Sequence, residues 1–108
     1  MTDGLDPEEL RRYFAERLPV RLAEIEDAAR AAREAGWAGD PLKTFHRLVH
    51  SLAGAGSTFG FPAVSETARG LERLLRELVQ RGDGGPAPDA AAVREVERAL
   101  AALPGSAS

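Results

Sequence analysis

The stretch that decides the fold reads Asp40-Pro41-Leu42-Lys43-Thr44-Phe45-His46-Arg47-Leu48-Val49-His50-Ser51-Leu52-Ala53-Gly54-Ala55-Gly56-Ser57-Thr58-Phe59-Gly60. Leu42, Phe45, Val49 and Leu52 recur at spacings of three and four, the mark of a helix with one buried face. Asp40-Pro41 offers an N-cap followed by proline at the first helical position, and Gly60-Phe61-Pro62 supplies a stop, so a helix running to roughly Thr58 is predicted. At about 100° per residue, Leu42, Phe45, Leu48, Val49, Leu52 and Phe59 fall on the half opposite His50. Lys43, His46, Arg47, Ala53, Gly54 and Ser57 share the side of His50, which is therefore expected to face outward. Gly54 lies one turn after His50 and Gly56 two residues further, although a glycine inside a helix costs about 1 kcal/mol relative to alanine. At position 54 a missing side chain clears space for another molecule to approach the imidazole, and at 56 it lets a neighbouring helix come close. The alternative is that Gly54-Ala55-Gly56 frays the helix end, but Phe59 and Phe61 beyond it argue for continued packing.

The flanking sequence is helical as well. Upstream, Asp6 is an N-cap candidate, Pro7 suits the first helical position, and Glu8 and Glu9 face the positive end of the dipole. A short first helix with the stripe Leu10, Phe14 and Leu18 follows. Pro19 lacks an amide hydrogen, so it either kinks that helix or begins a second one running to about Ala35 with Leu22, Ile25, Ala29 and Ala32 on its core face. Gly36-Trp37-Ala38-Gly39 breaks the pattern, and Trp37 is assigned to packing between the helices on either side. Downstream, Pro62 to about Arg81 presents Val64, Thr67, Ala68, Leu71, Leu74, Leu75 and Leu78 on one face, with Arg69, Glu72, Arg73 and Arg76 away from it. Residues 82–88 read as a flexible loop. Asp89 caps a last helix through about Leu103, packed by Val93, Val96, Leu100 and Leu103, and 104–108 reads as a frayed tail. Several such helices joined by short breaks, with no strand and no internal repeat, make an all-α antiparallel bundle. The chain is read as a single domain, residues 1–108, with its core at about 7–103.

Composition removes several function classes. A chain of 108 residues suits one small core. No window approaches the ~18 apolar residues of a membrane span, and Met1-Thr2-Asp3-Gly4 is unlike a secretory signal, so a cytoplasmic protein without membrane contact is expected. There is no cysteine, which excludes disulfides, thiolate catalysis and cysteine-ligated zinc. A formal charge of -3 argues against nucleic acid, whose binding rests on cations displacing condensed counterions. An outward imidazole, by contrast, offers a nucleophilic nitrogen near neutral pH.

His50-Ser51-Leu52-Ala53-Gly54, then Ala55-Gly56-Ser57-Thr58-Phe59-Gly60 and later Ala68-Arg69-Gly70-Leu71-Glu72, resembles the signature of the histidine-containing phosphotransfer (HPt) domain family. The likeness is to His-x-Leu-Lys-Gly, a second glycine six residues after the histidine, and an Ala-x-x-Leu-Glu segment on the next helix; it covers about residues 42 to 78. It implies an antiparallel four-helix bundle with an additional short N-terminal helix. It also implies a phosphorelay function in which His50 is the phosphoacceptor, carrying a phosphoryl group between receiver-domain aspartates. The implied partners are response-regulator receiver domains or a hybrid sensor histidine kinase. On this resemblance the chain is a phosphocarrier without its own kinase site or cofactor, since magnesium belongs to the receiver. A monomer is expected.

The family commonly has lysine three residues after the histidine, where this sequence has Ala53. Arg47, one turn before His50, and Lys43, two turns before it, share its face and are candidates to supply the missing charge, Arg47 first. His46, Ala53, Gly54, Ser57, Arg69 and Glu72 complete the candidates for phosphate stabilisation or docking, and Arg73 or Arg76 of the fourth predicted helix could also reach over. By resemblance Glu72 orients the imidazole; by position alone it is equally a plain surface glutamate. Ser51 and Ser57 lack a base and orienter, so a serine nucleophile has little support.

Two rivals remain. His46 and His50, four residues apart on one face, are spaced to share zinc, but a closed site takes about four donors and no Glu-x-x-His pair is present, so no metal ligand is assigned. Alternatively the chain is a protein-binding adaptor in which Ala53 marks a lost phosphotransfer function. An acid-labile, alkali-stable phosphate that disappears in His50→Gln separates the carrier from both.

Overall fold

The computed structural model describes residues 6–82 and 84–107, which form four helices: α1 (Pro7–Glu34), α2 (Gly39–Thr58), α3 (Pro62–Arg81) and α4 (Ala90–Ser106). The expectations for Met1 to Gly4, for Asp83 and for Ser108 lie outside the described residues. Asp6 starts α1 with a capping box: its carboxylate accepts from the Glu9 amide at 2.8 Å, and the Glu9 carboxylate accepts from the Asp6 amide at 3.2 Å. Such a cap stabilises a helix by about 1 kcal/mol.

The short N-terminal helix is not a separate element, because α1 runs through Pro19 without a break. Proline removes one backbone hydrogen bond and strains the preceding turn, at a cost of about 3 kcal/mol. Burial on both sides of it offsets that cost. Phe14 and Leu18 precede Pro19 in the core, Ile25, Ala29 and Ala32 follow it, and Phe14 stacks on Phe59 at 5.4 Å and against Phe61 at 5.1 Å.

Glycines set the two tight turns. At the end of α1 the Trp37 amide donates to the Ala32 carbonyl and the Gly36 amide to that of Arg33, with Gly36 at φ 70°; this paired closure needs a left-handed residue after the cap. Trp37 itself has φ 60°, and its indole is buried beside Phe45 with ring centroids 6.4 Å apart, as the packing assignment requires. Gly60, at φ 86°, ends α2 in the same way, with the Phe61 amide reaching the Gly56 carbonyl. The helix therefore continues past Gly54 and Gly56 without fraying. Its start differs from expectation: Ala38 is the N-cap without a side-chain bond, and Asp40 sits inside the first turn.

With short connections the helices alternate in direction. α2 packs most extensively on α3, α3 on α4 and α1 on α2. Phe45, Val49 and Leu52 of α2 meet Leu71 and Leu75 of α3 in a core completed by Ile25, Val96 and Leu103. Asp89 caps α4 through the Ala92 amide at 2.8 Å. The expected frayed tail is helical through Ser106, because buried Leu103 anchors it and the Ser106 hydroxyl donates to the Leu103 carbonyl. Among the described residues no helix is long and apolar enough to cross a membrane.

Candidate functional site

Small residues fix the crossing of α2 and α3. A Cβ on Gly56 would meet the Ser65 amide nitrogen at 3.1 Å and the Phe61 carbonyl oxygen at 3.2 Å, tighter than ordinary contact with backbone atoms, so glycine favours this close approach. Ser65 is buried and its hydroxyl donates to the Ala53 carbonyl at 2.8 Å, while Ala53 and Ala68 are buried beside it. Two turns after Ser65 along α3, Glu72 comes level with His50.

Glu72 was expected to point away from the core; instead it is buried, with 8 % of its side chain exposed. It lies at the edge of the apolar stripe, on the side that meets α2, and polar partners there replace water. His50 Nδ1 donates to Glu72 Oε2 at 2.8 Å, and Arg76 Nη2 donates to the same oxygen at 2.8 Å. Burial pushes the Glu72 carboxyl up, but the hydrogen bonds and charges of His50 and Arg76 pull it down further, leaving it below the ordinary range. It is ionised at neutral pH.

An ionised carboxylate only accepts hydrogen bonds, so Nδ1 of His50 carries the hydrogen and Nε2 of the neutral ring carries the lone pair. The His50 side chain is 69 % exposed. One ring nitrogen is thus tied to the protein while the other is presented to solvent as a nucleophile. A Cβ at Gly54 would meet nothing within 4 Å, so the surface beside the imidazole is clear, as expected.

Among the other candidates, Lys43, Arg47 and Ser57 are exposed on the His50 side of α2, and Arg69 is exposed on α3. Ala53 is corrected: it is buried against Ser65 and does not form part of an exposed docking face. His46 is half-buried, with its Nε2 3.6 Å from Glu72 Oε2. Burial holds its imidazole below the ordinary value; the Glu72 carboxylate opposes this, and Arg76 and His50 reinforce it.

Arg76 was read from sequence as one of several arginines able to reach over toward His50, and its bond to Glu72 was not foreseen. The available signal was its position four residues after Glu72, where side chains on a helix meet. The bond from Arg21 of α1 to the Ser51 hydroxyl, 3.0 Å, joins residues thirty apart in sequence and had no local signal. Among the described residues no group of three or more histidine, aspartate or glutamate side chains is arranged to hold a metal ion.

The family model described as Hpt domain matches residues 9–106. No curated protein and no solved structure gives a significant match to the chain.

Proposed function

Because the chain belongs to the Hpt domain family, whose members are phosphocarrier modules of phosphorelays that interact with receiver domains and histidine kinases, we propose that His50 is its phosphoacceptor and that Nε2 is the reacting atom. The observation that carries this reading is a largely exposed imidazole whose Nδ1 is bonded at 2.8 Å to a buried carboxylate.

In the forward step the Nε2 lone pair attacks the phosphorus of a receiver's aspartyl phosphate. The N–P bond forms, the P–O bond to aspartate breaks, and its electron pair leaves with the carboxylate. The ring gains positive charge in that step. Its Nδ1–H already points at Glu72, which offsets the charge without having to reorganise. In the reverse step the P–N pair returns to Nε2 and a second receiver's carboxylate takes the phosphoryl group. No proton need leave the ring in either direction. This chain supplies the nucleophile and the docking surface, while the receiver supplies the acidic pocket and its magnesium ion. Exposed Lys43, Arg47 and Arg69 are suited to neutralising the phosphoryl charge, with Arg47 the nearest along α2 to His50.

Incubation with phosphorylated receiver domains tests the reading directly. Wild type should gain an acid-labile, alkali-stable phosphate that is absent in His50→Gln. A folded wild type that gains none from any receiver would make the chain a helical adaptor.

A further inference from the structure

Glu72 Oε2 has more nitrogen neighbours than one oxygen can serve equally. His50 Nδ1 and Arg76 Nη2 each lie 2.8 Å away, and His46 Nε2 lies 3.6 Å from the same atom. The last distance is beyond a hydrogen bond. His46 Nε2 is buried, and among the described residues no group hydrogen-bonds to it. An unpaired buried polar atom is costly, so a small shift of the carboxylate toward His46 would relieve one ring at the expense of the other. The two imidazoles sit one turn apart on α2, with centroids 6.4 Å apart, and face one acceptor from α3.

The direction of that shift matters for chemistry at His50. A carboxylate drawn to His46 releases His50 Nδ1, and the exposed ring is then free to place its hydrogen on Nε2, which removes the lone pair. Arg76 opposes the shift. One turn after Glu72 on α3, it anchors the carboxylate from its own helix, and its charge disfavours a protonated His46. We propose that His46 and His50 contest Glu72 and that Arg76 decides the contest for His50, which makes Arg76 and His46 positioning residues for phosphoryl transfer. The proposal rests on the phosphoacceptor reading above and adds two residues to it.

The test compares wild type, Arg76→Gln, Arg76→Lys and the double variant Arg76→Gln/His46→Leu, each as the full chain. Phosphoramidate serves as donor because it needs no protein partner: the Nε2–P bond forms as the P–N bond to ammonia breaks, and ammonia leaves with that electron pair. The 15N shifts of the histidine rings report which nitrogen carries the hydrogen. Arg76→Gln should slow phosphorylation of His50 about tenfold and move its ring toward the Nε2–H form. Arg76→Lys should keep most of the rate. Removing the competitor in the double variant should restore the rate to within about threefold of wild type, a non-additivity expected only of groups that share a partner.

Wild-type rate and shifts in Arg76→Gln would overturn the role of Arg76. A slow Arg76→Gln that His46→Leu does not rescue would overturn the contest. If wild type reacts no faster than His50→Gln, the phosphoacceptor reading itself fails, and the ring-nitrogen shifts still decide the contest separately.

Discussion

Two arginine–carboxylate contacts in this molecule use the same chemical groups for opposite ends. Arg33 of α1 grips Glu97 of α4 with two parallel bonds of 2.8 Å, one to each oxygen, and both side chains stay well exposed at 44 % and 37 %. Arg76 gives Glu72 one bond, to an oxygen already taken by His50, and Glu72 is almost wholly out of water. The first pair is saturated and solvent-screened, so it ties two helices together at small net gain. The second is desolvated and unequally shared, so the state of its carboxylate governs a neighbouring ring. Geometry and burial, more than residue identity, separate a brace from a site.

The sharpest way to break this comparison is Glu72→Leu. Phosphoryl acceptance by His50 should fall at least about tenfold, the worth of a charge-assisted hydrogen bond. Stability by urea denaturation at neutral pH should fall by about 1–2 kcal/mol, because leucine removes the carboxylate that accepts charge-assisted hydrogen bonds from His50 and Arg76. A variant that accepts phosphate at the wild-type rate would reduce Glu72 to a brace like Glu97.

The glycines sharpen it next. Gly56→Ala crowds the α3 backbone, which must give by a few tenths of an ångström, and should cost about 1–3 kcal/mol in thermal or denaturant unfolding while loosening the His50–Glu72 bond. Gly54→Ala meets open space and should stabilise α2 by up to about 1 kcal/mol. It should slow transfer from a receiver while leaving phosphoramidate, a small donor, almost unaffected.

Acid should find the site before the brace. His46 is held below its ordinary value of 6.5, so the fold resists protonating it, and stability should begin to fall as the pH drops below that value. Glu72 is held below its ordinary value of 4.5; its contribution is complete above that value and lost as the pH falls through the folded one. Chemical denaturation across pH 7 to 3 should therefore show a decline that steepens in the acid range. His46→Leu should remove the early part and Glu72→Leu the later part. The smallest effect belongs to Arg33→Gln, which should lower stability by less than about 1 kcal/mol, less still in high salt, and leave phosphorylation unchanged.

Much of this was legible in the chain because caps and periodicity are local. Asp6 with Glu9, Pro62 after Gly60, and Asp89 mark three helix starts where they were expected, and the wheel centred on His50 correctly turned that ring outward. Pro19 misled because its cost is local whereas the burial of Phe14 and Leu18 that offsets it is tertiary. Glu72 had two readings, a group that orients the imidazole and a plain surface glutamate; the wheel could not choose, because it sorts residues by polarity and a carboxylate at the edge of a stripe is buried only if another helix brings it partners. Ala53 was placed with His50 by the wheel, yet it is buried, and the Ser65 hydroxyl that meets its carbonyl comes from a helix the wheel does not contain. The i,i+4 spacing of Glu72 and Arg76 was in the sequence, but that the pair flanks His50 depends on the crossing of α2 and α3.

The most direct measurement is proton–phosphorus correlation NMR of the chain after phosphorylation, which identifies both the residue and the ring nitrogen that holds the phosphoryl group. Phosphorus on Nε2 of His50, with Nδ1 still carrying hydrogen, is the predicted result. Phosphorus on Nδ1 of His50, or on His46, would contradict the account.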